Sequence, residues 1–299
     1  METELSNNTV LVSVVITCYN HGNYLANAIE SVSASPSVLV EIVVVDDGST
    51  DHTKLVCGAY PGVKYIYQHN QGLSAARNTG IVKSSGKYLV FLDADDWLLR
   101  NAIDINLSYL TNNPGAAFVS GAHIKLIEDI NLQEEKKVVV NDRHYAHFLK
   151  GNYVAMHATV MYQRWVFDQY RFDTTLNAFE DYDMYLKISR SYPVIHHQEL
   201  LAVYRIHTSN MSANNKLMLD NALNVLKRQE AYLSDEKEKR CYRFGIKYWK
   251  NYYTGILYRN VNTKPWSAID RHEISMLFKN NLTLYLKLLS KKILHVRKK

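Results

Sequence analysis

Residues 38–51 read VLVEIVVVDDGSTD: seven apolar positions broken by a single glutamate, then an abrupt run of acids, a glycine and hydroxyls. A β-branched run of this length, closed by turn residues, has the pattern of a strand buried on both faces. The same signature recurs on either side. Val10–Thr17 (VLVSVVIT) runs into polar Cys18–Asn23, and Lys87–Leu92 (KYLVFL) stops at Asp93-Ala94-Asp95-Asp96, with a shorter strand at Val63–Tyr67. Between these strands, Tyr24–Ser33 carries Leu25, Ala28, Ile29 and Val32 at helical spacing, and Leu73–Lys83 reads as a second helix. Strands alternating with helices of ten residues or more indicate βαβ units. Further on, the pattern predicts a helix over 98–113, ended by Asn113-Pro114-Gly115, and a strand over Ala116–Ser120. It then predicts a charged loop over Glu128–Lys137, a helix over Phe179–Arg190 and a strand near Pro193–His197. From Asn214 onward it is helical. The expected fold is α/β, with a mostly parallel central sheet and a helical C-terminal extension.

Composition narrows the function classes. The 299 residues are 47% hydrophobic and 21% charged, with 12 Gly and 5 Pro, which excludes a disordered, collagenous or low-complexity chain. Cys18, Cys57 and Cys241 are too few and too scattered for a disulfide framework or a CxxC zinc site, which points to a reducing compartment. The acidic, polar start METELSNN lacks the form of a signal peptide, and no apolar run is long enough to span a bilayer, so the expectation is a cytoplasmic protein. Charge divides the chain. Residues 1–213 carry 16 Lys+Arg against 22 Asp+Glu, and residues 214–299 carry 19 against 7. An acidic body with a basic end is not the footprint of a nucleic-acid binder. The division predicts a boundary near residue 213, between an acidic part over 1–213 and a basic helical region over 214–299.

In an open α/β sheet, ligands bind beyond the carboxyl ends of the strands. Three of the expected strands end there in polar clusters: Thr17-Cys18-Tyr19-Asn20, Asp46-Asp47-Gly48-Ser49 and Asp93-Ala94-Asp95-Asp96. The second alone reads equally well as a turn and helix cap. The third gathers three carboxylates in four residues, a repulsive arrangement that a cation relieves. Oxygen ligands of this kind suit Mg²⁺ or Mn²⁺ completed by water and a diphosphate. In Gln71–Gly80, Gly72 permits close backbone approach, and Arg77 and Asn78 offer donors to an anionic or ribose-bearing ligand.

Six blocks in order carry a resemblance: VSVVITCYN at 12–20, VVVDDGSTD at 43–51, NQGLSAARNTGI at 70–81, YLVFLDADD at 88–96, FEDYDMYLK at 179–187 and YRIHTSNMS at 204–212. Over about two-thirds of the chain the sequence resembles the family-2 glycosyltransferases, inverting enzymes of the GT-A fold that use nucleotide sugars. The resemblance implies a nucleotide-sugar half over about 10–97 and an acceptor half over about 98–213. It assigns Asp46 and Asp47 to the nucleoside, usually uridine, and Thr17, Tyr19 and Asn20 to the first nucleotide-contacting loop. Gly72, Arg77 and Asn78 fall along the nucleotide. The DxD motif maps to Asp93, facing ribose or a metal-bound water, and Asp95, facing Mn²⁺ or Mg²⁺, with His207 near the metal or diphosphate. Asp181 matches the catalytic base, and Glu180 would hold the acceptor or raise the Asp181 pKa by like-charge repulsion. Two departures lie on the acceptor side: Phe167–Asp173 lacks the glycines often found there, and Lys187 stands where Arg is common.

The resemblance implies transfer of a hexosyl or N-acetylhexosaminyl group to a glycan or lipid-linked acceptor, in surface polysaccharide or glycoconjugate synthesis. Two alternatives are a catalytically inactive nucleotide- or glycan-binding module and a phosphotransferase of the haloacid-dehalogenase type. The latter wants its Asp-x-Asp near the chain start and leaves Asp46-Asp47 and Glu180-Asp181 without a role. In the C-terminal region, Phe278, Leu282, Tyr285, Leu286, Leu289, Ile293 and Val296 predict one apolar helical face, with Lys287, Lys291 and Lys298 opposite. Such a helix suits peripheral contact with an anionic membrane, or packing on the rest of the protein.

Overall fold

The structure, a computed structural model, describes residues 12–33, 38–207 and 214–296, with side chains described through residue 292. Contacts divide the chain into two compact units: Met1–Tyr145 with Tyr153–Thr208, and Ala146–Asn152 with Ser209–Lys299.

The first unit opens with β1 (Val12–Cys18), α1 (Gly22–Ser33), β2 (Val40–Asp46), α2 (Thr53–Gly58), β3 (Val63–Tyr67), α3 (Leu73–Lys83) and β4 (Tyr88–Asp93). It continues through β5 (Trp97–Leu98), α4 (Ala102–Asn112), β6 (Phe118–Ile127), β7 (Leu132–Lys136), α5 (His144–Lys150), β8 (Val160–Gln163), α6 (Val166–Gln169), α7 (Glu180–Ser191) and β9 (Ile195–Ile206). Among the described residues the strands form one sheet in the order β3-β2-β1-β4-β8-β6-β9-β5, with β7 on β6. The first four strands are mutually parallel, and β8 joins β4 antiparallel. All seven residues of β1 are buried, the polar Ser13 and Thr17 included, as in a strand covered on both faces. Leu25, Ala28, Ile29 and Val32 of α1 pack into the core that β1, β2 and β4 share.

Register then sets the chemistry. Cys18 pairs with Asp46, and Thr17 pairs with both Val45 and Asp93, so β1, β2 and β4 end level on one edge of the sheet.

Three expectations are corrected in the second half of this unit. The charged stretch 128–137 is not a loop: a short helical turn at Glu128–Ile130 leads into β7, which pairs antiparallel with β6 from Ile127↔Leu132 to His123↔Lys136. Its side chains are mostly exposed, so it shows no apolar alternation. The strand near 193–197 extends to Ile206 because β9 follows β6 in parallel along its length, through a register shift near Ala122. The helix expected from residue 98 begins at Ala102. Trp97–Leu98 instead pairs with β9, and the Leu99 amide donates to the Leu201 carbonyl at 2.8 Å.

The second unit holds α8 (Asn215–Lys227), α9 (Glu236–Thr263), α10 (Arg271–Asn280) and α11 (Leu282–Val296), together with the end of α5. Side-chain caps mark the starts: Asn214 accepts from the Leu217 amide, Asp235 from Glu238, and Asp270 forms a capping box with Glu273. Gly245 lies so close to the Leu149 carbonyl that a Cβ would stand 2.0 Å from it, which explains both the glycine and why residues 146–152 belong here. The single apolar face expected from 278 to 296 is interrupted. Phe278 lies in the last turn of α10, Asn281 breaks the helix, and α11 buries Leu288 while Phe278, Leu282 and Leu286 stay exposed. Ile293, Val296 and Lys298 lie outside the described side chains. Among the described residues, no helix is long and apolar enough to cross a membrane, and the three cysteines are buried free thiols.

Candidate active site

At the level edge of β1, β2 and β4, each acidic cluster finds a different set of partners. Asp46 and Asp47 are both buried. Asp46 accepts from the Ser49 amide at 2.8 Å and the Tyr65 hydroxyl at 2.7 Å. Asp47 accepts from Gln68 Nε2 at 2.7 Å and from the Gln71 and Gly72 amides at 2.9 and 2.8 Å. The pair assigned to nucleoside recognition is therefore committed to shaping the loops around it. Gly72, with φ +88° and ψ 165°, occupies a conformation that is essentially glycine's alone, and the space its Cβ would enter is open. Asn20, at φ +55°, ties this rim to the first loop: its amide donates to Ser49 Oγ, and its Oδ1 accepts from the Thr50 amide, each at 2.8 Å. Tyr19 beside it is half exposed.

Arg77 is the hub of the site. It is 2% exposed, yet it meets two carboxylates from distant parts of the chain. One guanidinium nitrogen donates to Glu180 Oε1 at 2.5 Å, and another donates to Asp93 Oδ1 at 3.0 Å. Asp93 also accepts from Thr17 Oγ1 at 2.9 Å, across the register that pairs them. Burial opposes the Arg77 charge, but Asp93 and Glu180 outweigh it and hold the guanidinium ionised. This revises two expectations. Arg77 is an internal ion-pair centre with almost no surface to offer a diphosphate. Asn78 is likewise occupied, because its Nδ2 donates to the Phe172 carbonyl at 2.8 Å and its Oδ1 accepts from the Phe172 amide at 3.0 Å. That clasp fixes the loop flagged above for its missing glycines. Lys187 pairs with Asp183 at 2.5 Å, one turn back on α7.

Helix α7 starts from Phe179 in the left-handed region, φ +64°, which sets Glu180 and Asp181 in its first turn. Glu180 is buried and ion-paired with Arg77. Asp181 is half-buried and accepts from the Tyr182 amide at 2.6 Å. Burial, then the like charge of Glu180, pushes its carboxyl up to about 7 against the opposing pull of Arg77. A carboxylate poised near neutrality suits proton abstraction.

The three acids of Asp93-Ala94-Asp95-Asp96 do not share one cation. Asp93 faces Arg77. Asp96 is buried and accepts from the Arg205 amide at 2.9 Å, while burial and the neighbouring Asp95 and Asp93 carboxylates push its pKa up. Asp95 Oδ2 is hydrogen-bonded to His207 Nε2 at 3.0 Å and lies 3.8 Å from His21 Nδ1. Ligand atoms of His21, Asp95 and His207 lie within 4.8 Å of one another, a set able to hold a divalent ion. Two nitrogens and one carboxylate oxygen fit Mn²⁺, and fit less well the all-oxygen shell that Mg²⁺ prefers. Asp93, expected among the ligands, is not in this set. Arg205 braces it from behind: Nε donates to the Asp95 carbonyl at 2.9 Å, and the guanidinium lies between the rings of Tyr24 and Trp97, at 4.6 and 4.8 Å. Neither His21 nor Arg205 was singled out from sequence. The signal was their place in the sequence, His21 directly after the block ending CYN and Arg205 inside YRIH.

The sequence model of glycosyl transferase family 2 matches residues 13–179, more than half of the chain and all the strands that build this edge. The chain belongs to glycosyltransferase family 2. An uncharacterized glycosyltransferase of Rickettsia conorii is 38% identical over 109 residues, 36% of this chain and 18% of that protein, so the match spans under a fifth of that relative. Solved structures share the fold at low identity. TarS 1–349 of S. aureus in complex with UDP-GlcNAc has a TM-score of 0.63 at 15% identity, covering 95% of this chain and 88% of that one. The mannosyltransferase PcManGT of Pyrobaculum calidifontis, in complex with GDP-Man and Mn²⁺, has a TM-score of 0.60 at 16% identity, covering 96% and 87%. The fold is therefore GT-A-like. Membership of family 2 also removes the haloacid-dehalogenase alternative.

Proposed function

We propose that the chain is an inverting, metal-dependent glycosyltransferase that moves a hexosyl or N-acetylhexosaminyl group from a nucleotide sugar, UDP-linked, to a hydroxyl of a glycan or lipid-linked acceptor. The observation that carries the reading is a single chain of contacts at the sheet edge. Asp181, with its carboxyl near 7, follows Glu180, which pairs with Arg77, which pairs with Asp93, two residues before Asp95 of the metal-capable set.

In this reading the nucleoside lies on the rim shaped by Asp46, Asp47 and Gly72, with Tyr19 as its exposed aromatic face. Asp95 and His207 would hold a divalent ion, which when bound would supply positive charge to the donor diphosphate. Asp181 takes the proton of the acceptor hydroxyl as its oxygen bonds to C1 of the sugar. The bond between C1 and the phosphate oxygen breaks with its electron pair, and the nucleoside diphosphate leaves. One attack with one base inverts the anomeric centre. Arg77 ties Glu180 and Asp93 together by ion pairs at 2.5 and 3.0 Å. The exposed Phe278, Leu282 and Leu286, with Lys279 and Lys287 nearby in sequence, support peripheral contact with an anionic membrane on the cytoplasmic side. That surface suits an acceptor carried on lipid, as in surface polysaccharide or glycoconjugate synthesis.

The test is Asp181→Asn. Nucleotide-sugar binding, followed by thermal shift with Mn²⁺, stays within twofold of wild type, while nucleotide release from the donor falls at least a hundredfold. A variant that keeps turning over the donor would remove Asp181 as the base.

A further inference from the structure

We propose that His21 is the third protein ligand of the divalent ion, so that this chain holds Mn²⁺ before any nucleotide arrives and selects it over Mg²⁺. The inference rests on the metal site proposed above and extends it to a residue from the first loop.

Geometry comes first. A first-row divalent ion holds nitrogen and oxygen ligands at about 2.0–2.2 Å, so two ligands at right angles stand about 3 Å apart and wider pairs about 4 Å. His207 Nε2 and Asp95 Oδ2 are 3.0 Å apart, and His21 Nδ1 is 3.8 Å from the same oxygen. Both separations from Asp95 Oδ2 are those of neighbours in one coordination sphere, and the two imidazole nitrogens lie within 4.8 Å of each other.

The rings are also held in place by each other. Tyr24 stacks on His207 at 5.3 Å with planes 21° apart, and meets His21 edge-on at 6.0 Å. The two imidazoles meet edge-on at 5.7 Å. His21 is fixed from the backbone as well: its carbonyl accepts from the Tyr24 and Leu25 amides at the start of α1, and the Gly22 amide donates to Asp51 at 2.8 Å. Ligands from the first loop, the end of β4 and the end of β9 are therefore positioned before an ion is present.

The donor set decides the metal. Mg²⁺ prefers oxygen ligands and gives up water reluctantly, whereas imidazole nitrogen suits softer transition ions. A site with one carboxylate depends on the nucleotide phosphates to complete its shell. A site with two imidazoles and a carboxylate does not.

Mn²⁺ alone is the probe, titrated into full-length wild type, His21→Ala, His21→Asp and Asp95→Asn, each confirmed folded by circular dichroism. Free Mn²⁺ is read by electron paramagnetic resonance, and ligand nitrogens by spin-echo modulation. Wild type binds one Mn²⁺ without nucleotide and shows two imidazole nitrogen couplings. His21→Ala binds tenfold or more weakly and shows one coupling. His21→Asp restores binding but shifts the preference toward Mg²⁺. If His21→Ala keeps its affinity and both couplings while Asp95→Asn loses the ion, His21 is not a ligand and the metal site itself stands. Equal Mn²⁺ binding by Asp95→Asn and wild type would remove the underlying site. Wild type that takes up Mn²⁺ only with nucleotide present would overturn a preassembled three-ligand set.

Discussion

Replacing Arg77 by Leu removes the one cation shared by Glu180 and Asp93. The Glu180 pair is sealed, with the two side chains 2% and 8% exposed, whereas Asp93 is 36% exposed. Solvent screens the Asp93 partnership, so the cost is set by Glu180. Breaking a buried pair from one side costs about 3–5 kcal/mol, because the orphaned charge stays behind. Thermal denaturation of the whole chain should then show Tm lower by roughly 6–20 °C, at about 2–4 °C per kcal/mol for a domain of this size. Arg77→Lys keeps the charge but not the two-pronged reach, and falls between the two. A Leu variant within 1 kcal/mol of wild type at pH 7 would refute Arg77 as the buried hub.

Donor turnover should rise with pH through about 7 as Asp181 loses its proton, and Glu180→Gln should move that limb to lower pH by removing the like charge; a limb left in place would contradict the coupling. The same raised carboxyl destabilises the fold, absent below the ordinary carboxylate range, growing from about pH 4 to 7 and full above it, so Asp181→Asn should raise Tm at pH 8 and leave it unchanged at pH 3. Gly72→Ala forces a side chain into the φ +88° conformation and should cost about 1–3 kcal/mol in chemical denaturation, despite the open space around it. Asn78→Ala loses both hydrogen bonds to the Phe172 backbone and should cost about 1–3 kcal/mol, with donor KM little changed; unchanged stability with a raised KM would return Asn78 to the nucleotide.

The strands that build the site were legible because β1, β2 and β4 are buried on both faces and so leave uninterrupted apolar runs. Strand β7, LQEEK, lies at the sheet's margin with exposed side chains and leaves no such trace. β9 was half legible: its latter part, LLAVYRI, is apolar enough, but its length comes from pairing with β6, a partner far away in sequence. Site residues divide in the same way. Asp95, His207 and Asp181 sit in quoted blocks, and the structure brings Asp95 and His207 into one metal-capable set. His21 was missed because it is 74 positions from Asp95, and no spacing rule links a lone histidine in a polar loop to an acid in another strand. Arg77 and Asn78 also sit in a quoted block, but their internal contacts were not legible there. A short helical stretch with little amphipathic contrast does not say which polar side chains face solvent, and both of these turn inward to Glu180, Asp93 and Phe172.

The central claim is that this sheet edge binds a nucleotide sugar together with a divalent ion and breaks its sugar–phosphate bond. Wild-type protein would be incubated with UDP-, GDP- and dTDP-sugars, with and without Mn²⁺, and followed by thermal shift and nucleotide release. A ligand at a hundredfold excess over Kd stabilises the fold by about 2.7 kcal/mol, well within reach of the measurement. Stabilisation by UDP-sugars that requires Mn²⁺, with release of UDP, is the predicted result. Folded protein that responds to none of them, with or without the ion, would contradict the account and leave a transferase fold that does not use this edge for a donor.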